Sequence, residues 1–374
     1  MLDPSELSSD SVTELQVQTG APIYNQSPGA TYGPQNEQTP PSTEPAPNLT
    51  EDSSFAVHFI DVGQADSILI LSNGKSMLID GGNVADSSLV YSYLRSHGVS
   101  HLDYVVCTHA HEDHVGGLSG ALSYASVGKV YSPVTTYSSK AFQNFVKKVE
   151  ARGTSLTVPT PRESFMLGDA SVKILGPLKA YDDPNDTSIV LRVTYGTLSF
   201  LFTGDMETKA EADLLDAGVD LRATVLKVGH HGSSTSSSYR FLKAVAPRYG
   251  VISVGVDNDY GHPHEEILSR YRDADVTLYR TDLQGDIICK SEDGKTLSFT
   301  VKKNSDAVTN PTESEKTESD SSAVTEYPYI GNLNSKKYHK ESCSSLPYEN
   351  NRIYFTSKEE AASAGYSACG QCKP

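Results

Sequence analysis

The chain has no run of roughly 18 consecutive apolar residues, the length a membrane-spanning helix needs. Basic charge is also scarce. Lys and Arg number 31 against 47 Asp and Glu, leaving −16 over 374 residues. This excludes the broad basic footprint of a high-affinity, non-specific nucleic-acid binder. It leaves room for an enzyme that holds phosphates through metal ions. Cysteine is sparse too, with five residues and no framework spacing for disulfides. Cys107 and Cys289 sit in apolar, strand-like runs and read as core residues; the other three gather near the C-terminus.

What is present is unevenly distributed. Residues 1–53 are rich in Ser, Thr, Pro, Gln and Glu, contain no Lys or Arg, and carry −8. Such a segment buries too little apolar surface to offset its ordering entropy and is expected to be disordered. Residues 304–326 have the same character, carry −5, and are expected to form a linker. Between them lies a domain-sized block, 54–303, and after them a short tail, 327–374, which carries about +2. The first residues, Met1-Leu-Asp-Pro-Ser-Glu-Leu, have neither a charged n-region nor an apolar h-region, so no export signal is expected there. A Ser/Thr/Pro tether of this kind is nevertheless common just outside an anchor or signal peptide. An extracellular or cell-surface location and a cytosolic one are both compatible with it.

The densest chemistry lies in Thr108-His-Ala-His-Glu-Asp-His114, which follows the apolar run Leu102 to Cys107 and precedes Gly116-Gly117. Residues two apart in an extended loop point the same way. His109 and His111 can therefore grip one ion, while Asp113 and His114, opening the next helix, face a second. Imidazole and carboxylate are the ligands of zinc, manganese or iron. Asp205 ends the apolar run Leu198 to Thr203 behind Gly204, well placed to bridge two ions or, alternatively, to cap the following helix. In His230-His231-Gly232, one histidine is expected to complete the second ion's shell. His230 is preferred, with His231 left to contact substrate or orient a ligand. Asp186, in Asn185-Asp-Thr-Ser188, is either a further ligand or a turn cap. Asp61 and Asp80 end strands and are expected to hydrogen-bond metal-bound imidazoles.

The block reads as α/β with mixed sheets. Strands are expected at Phe55–Val62, Asp66–Leu71 and Ser76–Asp80, with a hairpin at Asn73-Gly74. Later strands are expected at 102–107, 171–175, 188–195, 197–203, 225–228 and 249–254. Helices are expected over 84–97, closed by Gly98, and over 115–124, 141–152, 207–217, 239–245 and 264–272.

In their order and spacing, these motifs resemble the metallo-β-lactamase superfamily. Within it the chain is similar to the hydrolase domain of ComEC-type competence proteins and their free-standing relatives. The matching stretches are His58-Phe-Ile-Asp-Val-Gly-Gln-Ala-Asp-Ser67, Leu78-Ile-Asp-Gly-Gly82, the histidine loop, Asn185-Asp-Thr-Ser188, Phe202-Thr-Gly-Asp205, Val228-Gly-His-His-Gly-Ser233 and Tyr260-Gly-His-Pro263. The resemblance implies an αββα sandwich with the site at one edge, two divalent metals (zinc or manganese), and Asp205 as their bridge. It implies hydrolysis by metal-activated hydroxide, with Asp113 orienting the nucleophile and His231 or His262 assisting the leaving group. The ComEC-like branch implies a phosphodiester in DNA as substrate. One departure stands out: many members place a histidine about twenty residues before the bridging Asp, and this chain has Asn185-Asp186 there. An oxygen-richer first site would favour manganese or magnesium.

In the tail, His339-x3-Cys343 and Cys369-x2-Cys372 offer four soft ligands for one structural zinc. The tail resembles the zinc module of Ada-type DNA-repair proteins, including Ser357 to Tyr366, with His339 where that family has cysteine. The resemblance implies DNA contact through Lys336, Lys337, Lys340 and Arg352. The Cys-to-His change argues against methyl acceptance. The combined expectation is a metal-dependent phosphodiesterase acting on DNA. The alternatives are a small-molecule hydrolase of lactones or β-lactams, and a DNA-binding protein whose catalytic site is secondary.

Overall fold

The computed structural model describes residues 55–311, 329–340, 343, 346–347, 352–355 and 357–374. The disorder expected for 1–53 and most of the linker expected at 304–326 lie outside these residues.

Alternation along the strands builds two sheets with three apolar layers. The first sheet has eight strands, in the order Ser298–Val301, Ile287–Ser291, Phe55–Phe59, Ile68–Ser72, Lys75–Ile79, His101–Val106, Ser126–Tyr131 and Leu156–Thr157. The second has seven, in the order Thr277–Arg280, Tyr249–Ile252, Val225–Lys227, Leu198–Phe202, Val190–Tyr195, Ala170–Gly176 and Ser164–Leu167. Phe55, Phe59, Ile70, Phe200 and Phe202 meet between the sheets. Their neighbours Leu69 and Leu71 turn outward to Leu94, Phe142 and Phe145 of the helices Ser87–Ser96 and Lys140–Ala151. On the other side, Leu201 and Leu226 turn outward to Phe241, Ile267 and Tyr271 of Tyr239–Val245 and Glu265–Asp273. The period of two thus sends successive apolar residues into different layers and makes an αββα sandwich. Strands buried on both faces read as unbroken apolar runs, as in Ile68-Leu-Ile-Leu71.

Local signals hold where they are strong. Asn73 and Gly74 both take positive φ, 44° and 71°, as a two-residue hairpin between Ser72 and Lys75 requires. Gly98, at φ 67°, closes the first helix. The single helix expected over 115–124 is instead two, Glu112–Val115 and Leu118–Tyr124. The cause is close backbone approach at the Gly116-Gly117 break. A Cβ on Gly117 would lie 1.8 Å from the Gly81 carbonyl oxygen, so the break seats the Gly81-Gly82 turn against the metal loop. Residues 304–311, expected as linker, hydrogen-bond back to the domain. Thr309 Oγ1 donates to Leu278 O at 2.6 Å, and Arg272 reaches Asn310 Oδ1 at 2.7 Å. Ser126–Tyr131, one strand in from the sheet edge, and the edge strands Ser164–Leu167 and Ser298–Val301 were not legible beforehand. Their alternation of exposed and half-buried residues spans only four to six positions, too few to stand out as a strand.

The tail forms a four-stranded sheet, in the order Arg352–Phe355, Tyr329–Asn332, Lys337–Lys340 and Ser367–Ala368, with the short helix Lys358–Ser363 capped by Ser357. Its apolar cluster is small: Tyr338, Phe355, Ala361 and Tyr366. Among the described residues, no helix is long and apolar enough to cross a membrane.

Candidate active site

Loops at one edge of the sandwich converge on a cage of four donors. Asp113, His114, Asp205 and His231 each offer one ligand atom, all within 4.8 Å of one another. His114 Nε2 is 3.2 Å from Asp205 Oδ2 and 3.6 Å from Asp113 Oδ2. His231 Nε2 is 3.5 Å from Asp205 Oδ2 and 3.3 Å from Asp113 Oδ2. A tetrahedral ion with ligands at about 2.0–2.2 Å needs edges of about 3.3–3.6 Å between them. His114 Nε2, His231 Nε2 and Asp205 Oδ1 are buried with no hydrogen-bond partner. Buried polar atoms are rarely left so. The donor set and its spacing fit a divalent metal.

Partners behind the ligands fix their orientation. His114 Nδ1 donates to Asp80 Oδ2 at 2.8 Å, which turns its Nε2 into the cage. Asp80 is in turn held by the Thr108 amide at 2.8 Å and hydroxyl at 2.6 Å. His231 Nδ1 donates to the Ser253 carbonyl at 2.9 Å, with the same effect. Burial opposes charge on both imidazoles, but the surrounding carboxylates, Asp205 foremost, override it. They hold His114 well above the ordinary histidine range and His231 up to about 10. The same attraction outweighs burial at Asp113 and Asp205 and holds both carboxyls below the usual range.

His231, rather than the preferred His230, joins the cage. Both residues adopt left-handed backbone, φ 48° and 52°, so the tight turn sends consecutive side chains apart. His230 Nδ1 instead meets Glu207 Oε1 at 3.2 Å, and its Nε2 stands 3.7 Å from Asp205 Oδ2. Asp186 does not join the cage either. Its Oδ1 accepts from the backbone N–H groups of Glu207 and Ala210 at 3.2 and 3.3 Å, at the start of the helix Thr208–Asp216. Asp186 thereby takes the capping role that was Asp205's alternative and leaves Asp205 to the cage. Ser188 Oγ accepts from the Asp205 amide at 3.1 Å, so this motif braces the Asp205 loop. His109 Nε2 and His111 Nδ1 lie 3.1 Å apart as a separate pair. Burial, then His114, keeps His109 well below the ordinary histidine range. Asp61, expected behind an imidazole, instead accepts from Lys303 Nζ at 3.1 Å.

Three residues escaped sequence reasoning. Lys227 is fully buried, with Nζ 2.9 Å from Asp66 Oδ1, and Asp66 Oδ1 lies 3.5 Å from His231 Nδ1. A lysine inside the apolar strand Val225–Lys227 was the available signal. Gln64 Oε1 accepts from the Gly255 amide at 3.1 Å, which fixes its amide so that Nε2 donates to His262 Nδ1 at 3.3 Å. Lys227→Met is expected to strand the Asp66 charge and cost about 3–5 kcal/mol in denaturant unfolding. Lys227→Met combined with Asp66→Asn should recover most of that loss. Equal loss in the double variant would show that packing, not charge, is what Lys227 supplies.

In the tail, His339 Nδ1 and Cys343 Sγ are 3.3 Å apart, and Cys369 and Cys372 complete a four-residue cluster within 4.8 Å. Backbone N–H groups of Cys372 and Gln371 lower the Cys369 thiol toward the thiolate, the form that binds metal. Lys336 Nζ meets Tyr366 OH at 3.2 Å, and Lys337 Nζ donates to Ser367 Oγ at 2.9 Å.

This fold and this edge site define a metal-binding αββα hydrolase. The sequence profile of the metallo-beta-lactamase superfamily matches residues 60–256, and the chain belongs to that superfamily. The metal binding domain of Ada matches residues 315–374, making the tail an Ada-like zinc-binding domain. Competence protein ComA of Neisseria gonorrhoeae is 35% identical over 241 residues, 64% of this chain and 33% of that protein. ComE operon protein 3 of Bacillus subtilis is 28% identical over 256 residues, 63% of this chain and 33% of that protein. Recombination protein 2 of Haemophilus influenzae is 29% identical over 243 residues, 63% of this chain and 28% of that protein. The chain therefore spans about a third of the length of these relatives. Among solved structures, the metallo-beta-lactamase fold protein YhfI of Bacillus subtilis aligns with a TM-score of 0.45 at 14% identity, over 64% of this chain and all of that one.

Proposed function

We propose that the chain is a metal-dependent phosphodiesterase acting on DNA. The observation that carries the hydrolytic part is the four-donor cage with its two imidazole nitrogens buried and unpaired. Asp113, His114, Asp205 and His231 would hold one ion, and His109 and His111 a second. A bound divalent metal supplies Lewis acidity, polarising a phosphoryl oxygen and lowering the pKa of water to about 7. Asp80, Thr108 and Ser253 keep the ligand imidazoles aimed. DNA as the substrate draws support from two separate likenesses: relatives named for competence and recombination, and the Ada-like tail. Zinc in the tail suits its thiolates. Manganese or zinc suits the hydrolase cage.

His262 acts as a hydrogen-bond donor to substrate. Burial, followed by the neighbouring His264, His231 and His230, lowers it to about 4, so it is neutral near pH 7. Because Gln64 donates to Nδ1, the proton of the neutral ring sits on Nε2. Gln64→Ala is expected to lower kcat about five- to tenfold, the worth of one hydrogen bond of about 1 kcal/mol, with metal content unchanged. A change in KM or metal content alone would remove Gln64 from this role.

The direct test incubates the metal-stripped full chain, reloaded with Mn²⁺, Zn²⁺ or Mg²⁺, with linear and circular DNA, beside a His109→Ala/Asp113→Ala control. Metal-dependent cleavage lost in the control supports the reading. Stoichiometric metal binding without cleavage by any ion would redirect the search to lactones, β-lactams and small phosphodiesters.

A further inference from the structure

We infer that Tyr260 is a stacking platform for an unpaired nucleobase close to the metal cage, so that the site takes single-stranded nucleic acid in preference to duplex. The nucleic acid as ligand rests on the phosphodiesterase reading. The platform rests on the loop that carries Tyr260.

The loop from Gly255 to His264 carries the two most exposed large apolar side chains among the described residues, Tyr260 at 68% and Val256 at 67%. The loop is nevertheless pinned along its length. The Gly255 amide donates to Gln64 Oε1 at 3.1 Å. Asn258 ties the turn together. Its Nδ2 donates to the carbonyls of Gly255 at 3.0 Å and His262 at 2.7 Å, and its Oδ1 accepts from the amides of Tyr260 at 3.2 Å and His262 at 3.0 Å. The Ser234 amide donates to His264 Nδ1 at 2.9 Å. Ordering of the loop is thus met in folding, and the ring is held out to solvent before any ligand arrives. Its position relative to the cage is also fixed. The ring stacks on the His262 imidazole, with centroids 5.6 Å and planes 25° apart. The His262 ring lies 5.7 Å from that of His230, whose Nε2 is 3.7 Å from Asp205 Oδ2. The Tyr260 ring therefore stands no more than about 11 Å from the His230 ring, the rise of about three nucleotides at about 3.4 Å each.

Charge selects what can sit there. Asp257 and Asp259 flank the ring and are exposed, so a phosphate is disfavoured on this loop and the uncharged face of a base is not. Every base has such a face, but inside a duplex its stacked neighbours cover it. Only an unpaired base is free to stack on an outside ring. Stacking draws nothing from counterion release, which suits a chain without a basic footprint.

The Mn²⁺-loaded full chain is assayed on a single-stranded oligonucleotide, on its duplex, and on single strands in which an abasic site is moved stepwise along the sequence. Wild type is expected to favour the single strand about tenfold or more in kcat/KM. Tyr260→Ala should raise KM for the single strand about tenfold, with the loss falling on KM rather than kcat. Tyr260→Phe keeps the ring and should stay within about twofold of wild type. One abasic position should cost the wild type about as much as Tyr260→Ala does, and should cost Tyr260→Ala nothing further. Equal losses on single strand and duplex, or the same abasic profile in both proteins, overturn the inference. Competition by tetramethylammonium but not by thymidine also overturns it, assigning the ring and its two flanking carboxylates to a cation. Binding of a fluorescent oligothymidylate, followed by anisotropy, separates this inference from the reading beneath it. Binding that depends on Tyr260, without cleavage, upholds the platform and counts against the phosphodiesterase. Cleavage indifferent to Tyr260→Ala removes the platform alone.

Discussion

Asp205→Ala is expected to lower hydrolytic kcat/KM by roughly 10³ or more, the equivalent of the several kcal/mol of Lewis-acid stabilisation a metal provides. Metal analysis of the same variant should find the hydrolase cage largely empty. The carboxylate stands 3.2 Å from His114 Nε2 and 3.5 Å from His231 Nε2, and its removal takes a shared edge from the cage. The fold should survive, because Asp186, not Asp205, receives the helix amides. Asp186→Ala supplies the contrast: about 1 kcal/mol of stability lost with the cap, and metal content retained in the cage. If Asp186→Ala empties the cage while Asp205→Ala does not, the two carboxylates have been assigned the wrong way round.

Loss of the tail's zinc is expected to unfold the tail and leave the hydrolase domain folded. Its apolar cluster has four buried side chains, Tyr338, Phe355, Ala361 and Tyr366, with Tyr329 and Ile353 packed against them. So small a cluster is a poor source of stability by itself, whereas structural zinc contributes about 10–16 kcal/mol of apparent binding free energy in comparable modules. Cys369→Ser should therefore collapse the amide dispersion of residues 329–374 in heteronuclear NMR while methyl signals of the sandwich core persist. Retained dispersion in a zinc-free variant would show that the tail folds on its own core. DNA binding by gel shift, compared between wild type and Cys369→Ser, then reports whether the tail contributes DNA contact.

Chemistry carried by short stretches was legible. The histidine loop, the hairpin at Asn73-Gly74, the glycine stop at 98 and the ligand types of the tail depend on neighbours a few residues apart. The break at Gly116-Gly117 was not legible, because the contact that demands it comes from Gly81, 36 positions earlier. The short outer strands also gave too few alternating positions to read, since half-exposed positions accept most side chains.

The sequence by itself determined which kinds of donor are available, that the block is α/β with mixed sheets whose motifs resemble a hydrolase family, and that the tail carries four zinc-type ligands. Motif spacing and ligand chemistry are local properties of the chain. Only the tertiary structure decided between His230 and His231, because a left-handed turn separates adjacent side chains by direction rather than by position. It alone gave Asp186 to a helix and Asp205 to the cage, paired Lys227 with Asp66, and set Gln64 behind His262, 198 positions away. Each of those outcomes turns on a hydrogen bond or ion pair at about 3 Å between residues the chain keeps far apart, and no local pattern encodes such a distance.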